Sequence, residues 1–324
     1  MLKKPDPKTK PLEDEITQKL RAAARKRRPL NWWGLLVLLG LLLIPAGLVV
    51  WWVYPKPDPP RLDVVAVDQL GLAGQEVELR AFLEPLDTDP AKLNLEGYSL
   101  FFEEKQFPGK AKPGKVKETT SLPDGWATVS WIFPRGQDKN SFIVRLPGDK
   151  MRRGKMDVGQ VFFCQVDTPL LLVDVKATLS SASAADWEKK NPLDIKPVAD
   201  AAKALQGARK KKFQVVYLAL ASDRALAYRK VRGWVVNNRS LFPEGPVLGR
   251  KSYPSEESNA RHEILRSLKE TFRGPLVAVV GQEEAAAVCG AMGVHTILIG
   301  IDGGPKEVVR VKSWREVPEK LPKK

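Results

Sequence analysis

The sequence is poor in the two side chains that most often bind transition metals. Its 324 residues include two cysteines, Cys164 and Cys289, and two histidines, His262 and His295. The cysteines lie far apart in sequence and do not have the spacing of metal ligands. Two histidines do not supply the remaining ligands of a zinc site, so the sequence predicts none. Two alternatives stay open for the cysteines: a long-range disulfide in an oxidising compartment, or two independent buried thiols.

Charged residues are absent from 32–53, where the chain reads WWGLLVLLGLLLIPAGLVVWWV. As a helix, this run would span about 33 Å at about 1.5 Å per residue, enough to cross a bilayer. Tryptophan pairs at its two ends suit the headgroup interfaces. A buried core helix and a cleaved signal peptide are the alternatives, but the run is too long for a signal peptide and no small-residue cleavage site follows it. The pattern predicts one transmembrane helix over 30–54.

A basic tail, 1–29, precedes this run. It holds ten Lys or Arg residues against four Asp or Glu residues, a net charge of +6. Cationic residues beside a membrane span mark its cytoplasmic side, which predicts a single-pass protein of the cell membrane with everything from about 55 onward outside the cytoplasm. The anchor and the tail would contact membrane lipid, and nucleic acid is not expected as a partner. Residues 318–324 form a second short basic tail.

Short strands with turns between them follow a proline-rich linker at 55–60. The stretch EVELRAFL at 76–83 alternates apolar and charged residues, as in a strand with one solvated face. Several such stretches predict an antiparallel β-sandwich over 61–167.

One turn in this region, Asp124-Gly125, leads directly into the apolar strand 126–133. This arrangement resembles the immunoglobulin-like modules of bacterial surface proteins. It departs from antibody domains because Cys164 alone cannot form their intersheet disulfide. The resemblance implies a spacer or contact module without chemistry of its own.

The pattern changes over a further domain predicted at 168–317. Nearly continuous apolar runs alternate there with stretches of helical periodicity. Apolar strands separated by helices indicate a parallel sheet covered on both faces, in which ligands usually bind at the carboxyl ends of the strands. We therefore predict a multidomain protein: a single transmembrane helix, an all-β immunoglobulin-like sandwich, and an α/β domain with a parallel sheet.

Polar side chains stand where three of these strands end. They are Asp174, Ser222 and the group Gln282-Glu283-Glu284. A carboxylate there can attack phosphorus, a hydroxyl can hold phosphoryl oxygens, and further acids can bind Mg²⁺. The order of these groups suits phosphoryl transfer, although Asp is also common at strand ends for local hydrogen bonding.

This order resembles the haloacid-dehalogenase-like superfamily over roughly 169–300. The stretches YLALASDRALAYRKVRGWVVNN and LFPEGPVL resemble its branch of lipin-type phosphatidate phosphatases and related lipid-transfer-protein domains. The resemblance implies Asp174 as nucleophile, Thr178 as the threonine of the first motif and Ser222 as the second-motif hydroxyl. It also implies a third-motif cation, for which Lys269 and Arg261 are equal candidates. Mg²⁺, if the domain is active, would be held by Asp174 with Glu283 or Glu284.

Two departures from the family pattern bear on activity. Lys176 stands where the family has the acid that protonates the leaving group. Loss of such a general acid lowers the reaction rate on the order of 10²- to 10⁴-fold. The Lys176 side chain either neutralises Asp174 in the cleft or points to solvent. In the family, an acid follows the glycine that Gly281 matches, and a second acid comes a few residues later. This sequence has Gln282 at the first of these positions and Ala286 at the second.

We therefore predict a degenerate domain that binds or scaffolds an unknown protein or a phosphate-bearing ligand, with little or no turnover. One alternative is an active Mg²⁺-dependent phosphohydrolase, with a phospholipid as a candidate substrate. The other is a structural protein of the cell envelope that acts through its sandwich.

Overall fold

The structure is a computed structural model that divides into two units, Met1–Pro59 and Pro60–Lys324. It describes residues 17–19, 36, 61–86, 93–105, 115–148, 155–220, 225–250, 256–303 and 305–322. The first unit is thus described only at Thr17–Lys19 and Leu36, which are helical.

Eight strands form the first half of the second unit. They are β1 (Leu62–Val67), β2 (Gln69–Leu72), β3 (Glu76–Pro85), β4 (Ser99–Glu104), β5 (Val116–Thr120), β6 (Trp126–Ile132), β7 (Lys139–Leu146) and β8 (Lys155–Cys164). A three-stranded antiparallel sheet has the order β1-β3-β6, and a five-stranded sheet has the order β2-β8-β7-β4-β5. We call these strands the β module.

The predicted immunoglobulin-like sandwich of antiparallel sheets is wrong. The five-stranded sheet is mixed, because β2 pairs in parallel with β8, with Gln69 opposite Val161. The alternation of apolar and polar residues fixes which face of a strand is buried, but not the direction of its partner. That direction depends here on segments far apart in sequence, which no local pattern records.

A six-stranded parallel sheet forms the second half, in the order β11-β10-β9-β12-β13-β14. Its strands are β9 (Leu170–Asp174), β10 (Gln214–Leu218), β11 (Val247–Leu248), β12 (Leu276–Val280), β13 (His295–Ile299) and β14 (Val309–Val311). The helices are α1 (Ala184–Lys189), α2 (Ala201–Lys210), α3 (Ala225–Asn237), α4 (Glu257–Thr271), α5 (Glu283–Ala291) and α6 (Val317–Lys320), with a π-helical turn at Val175–Leu179 and a 3₁₀ turn at Pro192–Asp194. The parallel sheet follows from the apolar strands and intervening helices of the sequence.

Strand β9 is buried on both faces. Leu171 and Val173 belong to one apolar cluster, and Leu170 and Leu172 to another on the opposite face. Full burial of each such side chain stabilises the fold by roughly 1.5–3 kcal/mol. The middle position of β9 in the sheet therefore agrees with its unbroken apolar sequence.

The β module and the parallel sheet share one core. Val65, Phe82 and Trp126 of the β module lie in the same apolar cluster as Leu171 and Val173. From Pro60 onward the chain forms a single compact unit. The boundary between two domains at 167 and 168 stays a prediction.

Helix α3 joins the two halves through buried polar contacts. Arg232 donates from Nη2 to both carboxylate oxygens of Asp157 in β8, at 2.8 Å each, and from Nη1 to the Ala66 carbonyl at 2.5 Å. The backbone N–H of Asp68 donates to the Tyr228 hydroxyl at 2.8 Å. Burial raises the pKa of Asp68 to about 6, even though Arg232 and two backbone N–H donors favour the charged form.

The prediction of a single-pass membrane protein, with its C-terminal domains outside the cytoplasm, needs correction. In the part of the chain that the structure describes, no helix has both the length and the apolar character needed to cross a bilayer. An apolar run indicates a preference for nonaqueous surroundings, which does not by itself establish a helix that crosses a bilayer. The predicted span 30–54, apart from Leu36, the linker 55–60 and most of the basic tail 1–29 lie outside the described residues.

Candidate functional site

Asp174 is the last residue of the central strand β9, and the residue is 5% exposed. The π-helical turn follows it directly. Within this turn the Thr178 hydroxyl donates to the Asp174 carbonyl at 2.5 Å. The indole of Trp314 donates to the Thr178 carbonyl at 2.7 Å. Thr178 therefore holds the backbone after Asp174, and its hydroxyl proton is directed at a carbonyl oxygen.

Arg261 of α4 lies against the Asp174 carboxylate and is only 1% exposed. Its Nη2 is 3.0 Å from Oδ2 and 3.2 Å from Oδ1 of Asp174. The same nitrogen donates to Oε1 of Glu257, one helical turn earlier, at 2.8 Å. Within the described residues, Oδ2 of Asp174 and Nη1 of Arg261 have no hydrogen-bond partner. One guanidinium thus serves two carboxylates.

The buried setting shifts the pKa values of this cluster. Burial raises the pKa of Asp174, and the Arg261 charge opposes the rise without cancelling it. Burial disfavours the Arg261 cation, but the neighbouring Asp174 carboxylate prevails and raises its pKa. Burial raises the pKa of Cys289 to about 11, with Arg261 opposing, so this thiol is protonated at neutral pH. The cluster is a closed ion pair beside an unreactive thiol.

Of the other predicted site residues, those that the structure describes do not contact Asp174. Lys269, at the far end of α4, donates to the Met292 carbonyl at 2.7 Å. Glu283 and Glu284 are exposed at the start of α5. Ser222 lies outside the described residues. The structure therefore brings together Asp174 and Arg261, with Thr178 behind them.

Lys176 occupies a position that neither interpretation of the sequence anticipated. Its Nζ lies 5.7 Å from the ring centroid of Trp187, in cation-π contact. Burial lowers its pKa, and Glu188 opposes the shift. The positive charge at Asp174 comes from Arg261. Lys176 packs instead against Trp187 of α1.

The strand ends approach each other closely at this edge of the sheet. A Cβ added to Gly281, just after β12, would lie 2.6 Å from the Ala177 carbonyl oxygen. Only glycine therefore fits where the end of β12 touches the turn after Asp174.

Sequence reasoning missed three contributors to this site: Glu257, Trp187 and Trp314. A signal existed for Glu257, since an acid four residues before Arg261 on a helix is a typical ion pair. No local sequence pattern could predict the roles of the two tryptophans. The contact of Trp314 joins segments distant in sequence, and that of Trp187 depends on the shape of the turn after Asp174.

The resemblance to haloacid dehalogenases implies a magnesium ion at Asp174, and the residues present do not fit one. Mg²⁺ requires several oxygen ligands in near-octahedral geometry. The charge that reaches the Asp174 carboxylate is a guanidinium, whereas Glu283 and Glu284 are exposed at the start of α5. Among the described residues, no three His, Cys, Asp or Glu side chains are grouped as a metal site.

Comparison with known proteins gives a weak likeness in fold. No family model matches the sequence, and no curated protein matches it. The D,D-heptose 1,7-bisphosphate phosphatase of B. bronchiseptica, solved with magnesium and phosphate, aligns with 47% of this chain and 97% of its own, at 14% identity and a TM-score of 0.37. The enzyme of the same name from Burkholderia thailandensis aligns with 47% of this chain and 96% of its own, at 10% identity and a TM-score of 0.34. Both TM-scores are too low for any conclusion about the activity of this chain.

Proposed function

We propose that this protein acts by binding, through a haloacid-dehalogenase-like domain that does not turn over phosphate esters. The observation that carries the proposal is the buried ion pair between Asp174 and Arg261. An aspartate nucleophile must present a free carboxylate oxygen to phosphorus. Here Oδ1 accepts a hydrogen bond from Arg261, and Oδ2, which has no hydrogen-bond partner among the described residues, lies 3.0 Å from the same guanidinium nitrogen. The residue is only 5% exposed, so burial and the guanidinium restrict access of a phosphate ester to Oδ2.

Two neighbouring features support the same proposal. The position that would carry a general acid is Lys176, whose amine lies over Trp187. The acids predicted to hold magnesium, Glu283 and Glu284, are exposed at the start of α5. The partner is a protein or a phosphate-bearing ligand, as the degenerate motifs suggest.

Phosphate release by the full chain tests the proposal. The wild type and Asp174→Asn are compared on a generic phosphate ester and on phosphatidate, each with Mg²⁺ and with a chelator. We expect both proteins to release phosphate at the same background rate under all conditions. Release that depends on Mg²⁺ and disappears in Asp174→Asn would establish an active phosphohydrolase and end the proposal.

A further inference from the structure

A cavity opens at the amino edge of the parallel sheet, the edge opposite Asp174. Its volume is about 210 Å³. It is bordered by Thr168, which precedes β9, by Gln214, which begins β10, and by Glu244, which precedes β11. Arg209 and Lys212, at the end of α2, complete the border. We call this the amino-edge cavity.

Lys212 adopts a backbone conformation that is unusual for its residue type. Helix α2 ends in a Schellman motif, in which Phe213 N donates to the Ala208 carbonyl at 3.1 Å and Lys212 N donates to the Arg209 carbonyl at 2.8 Å. This motif places Lys212 in the left-handed region, with φ of 66°. Glycine is the usual residue there because a Cβ is disfavoured. Lys212 therefore carries a long cationic side chain at a position that glycine usually occupies.

The four cations at 209–212 do not all face the same way. Arg209 and Lys212 border the amino-edge cavity. Lys211 instead donates to the Pro318 carbonyl at 2.6 Å. Among the described residues that border the cavity, Glu244 is the one acid, and it is paired with Lys139 of β7, so its charge is compensated. The cavity is therefore positively charged.

We propose that the amino-edge cavity binds a small dianion of the phosphate class, with Arg209 and Lys212 as its charged ligands. Charge-assisted hydrogen bonds from a guanidinium and an ammonium are the usual means of holding phosphate. The Thr168 hydroxyl accepts from Gln165 N at 3.1 Å and keeps its own proton free to donate. The site lies at the opposite edge of the sheet from Asp174 and does not depend on the proposed function.

Calorimetric titration of the full chain with inorganic phosphate tests this site. We expect saturable binding by the wild type and binding weaker by about tenfold or more in Lys212→Gly, since one charge-assisted hydrogen bond is worth at least that factor. Glycine suits the backbone at this position, so Lys212→Gly should melt at or above the wild-type temperature without phosphate. The loss of affinity is then not a loss of folding.

Lys210→Ala is the matched control, because it removes an adjacent cation that does not border the cavity. It should bind phosphate as the wild type does. Equal weakening in Lys210→Ala and Lys212→Gly would show nonspecific attraction to a basic surface and overturn the proposal, as would absence of binding by the wild type. A second titration with glycerol phosphate separates the sources of the ligand: tighter binding than inorganic phosphate indicates a phosphate ester, and weaker binding indicates the free ion.

Discussion

A buried carboxylate persists at Asp174 because a guanidinium lies against it. Arg261 is almost fully buried as well, so neither charge is hydrated to any extent. Removing one partner of such a pair leaves the other uncompensated, and this costs more than the pair itself contributes. Asp174 and Arg261 therefore act as a unit.

Arg261→Met is expected to lower the free energy of unfolding by about 3–5 kcal/mol, because it leaves Asp174 buried beside Glu257 without a cation. Asp174→Asn in the same chain should recover part of this loss, since the remaining side chain is neutral. Urea unfolding of the two single variants and the double variant measures the coupling. Strictly additive losses would contradict a shared ion pair.

The candidate site was predictable from sequence at some residues and not at others. Asp174 could be placed because an acid follows an apolar run at a strand end. Lys269 and Arg261 could not be told apart, since both lie on α4 and only the approach of the helix to the sheet decides which reaches the carboxylate. Lys176 could not be placed, because its partner, Trp187, lies on a separate helix.

At the scale of elements, α3 is the joint between the β module and the parallel sheet. Tyr228 and Arg232 lie one turn apart on its buried face, and both contact residues of the β module. A helix that satisfies polar groups on two sides fixes their relative position.

Arg232→Met should lower the free energy of unfolding by about 3–5 kcal/mol, since Asp157 and the Ala66 carbonyl lose their buried donor. Arg239→Met, an exposed position just after the same helix, is the matched control and should change it by less than about 0.5 kcal/mol. Thermal or urea unfolding compares the two. Similar effects from both variants would show that the contacts of Arg232 contribute nothing specific.

Sequence patterns predicted the type of the elements better than their pairing. Continuous apolar runs with helices between them led to the parallel sheet, because such strands need cover on both faces. In the β module the sequence predicted short strands, but not β2 or β5, and it predicted the wrong arrangement of the sheets. The short link at Asp68 leads into β2, which lies in the second sheet beside β8. The pairing of Gln69 with Val161 joins segments separated by nearly the whole length of the module, beyond the reach of local periodicity.

At the scale of the whole molecule, the shared core makes the described unit from Pro60 onward a single body. The same apolar cluster contains Val65 and Trp126 from the β module and Val173 from the central strand. Neither half can lose its packing without exposing apolar surface of the other.

Differential scanning calorimetry of the full chain should accordingly show one cooperative transition for this unit, with calorimetric and van't Hoff enthalpies in agreement. Far-ultraviolet circular dichroism and tryptophan fluorescence should change at the same temperature. Two resolved transitions, one for strands 61–167 and one for the remainder, would instead show independent domains.

The hydrogen bond from Trp314 to Thr178 also bears on biosynthesis. A ribosome delivers the chain from its amino end, so Asp174 and its turn emerge well before the indole that completes them, 136 residues later. Until then the buried Thr178 carbonyl lacks its donor. Products of interrupted translation that stop before Trp314 would carry this defect next to the central strand of the sheet.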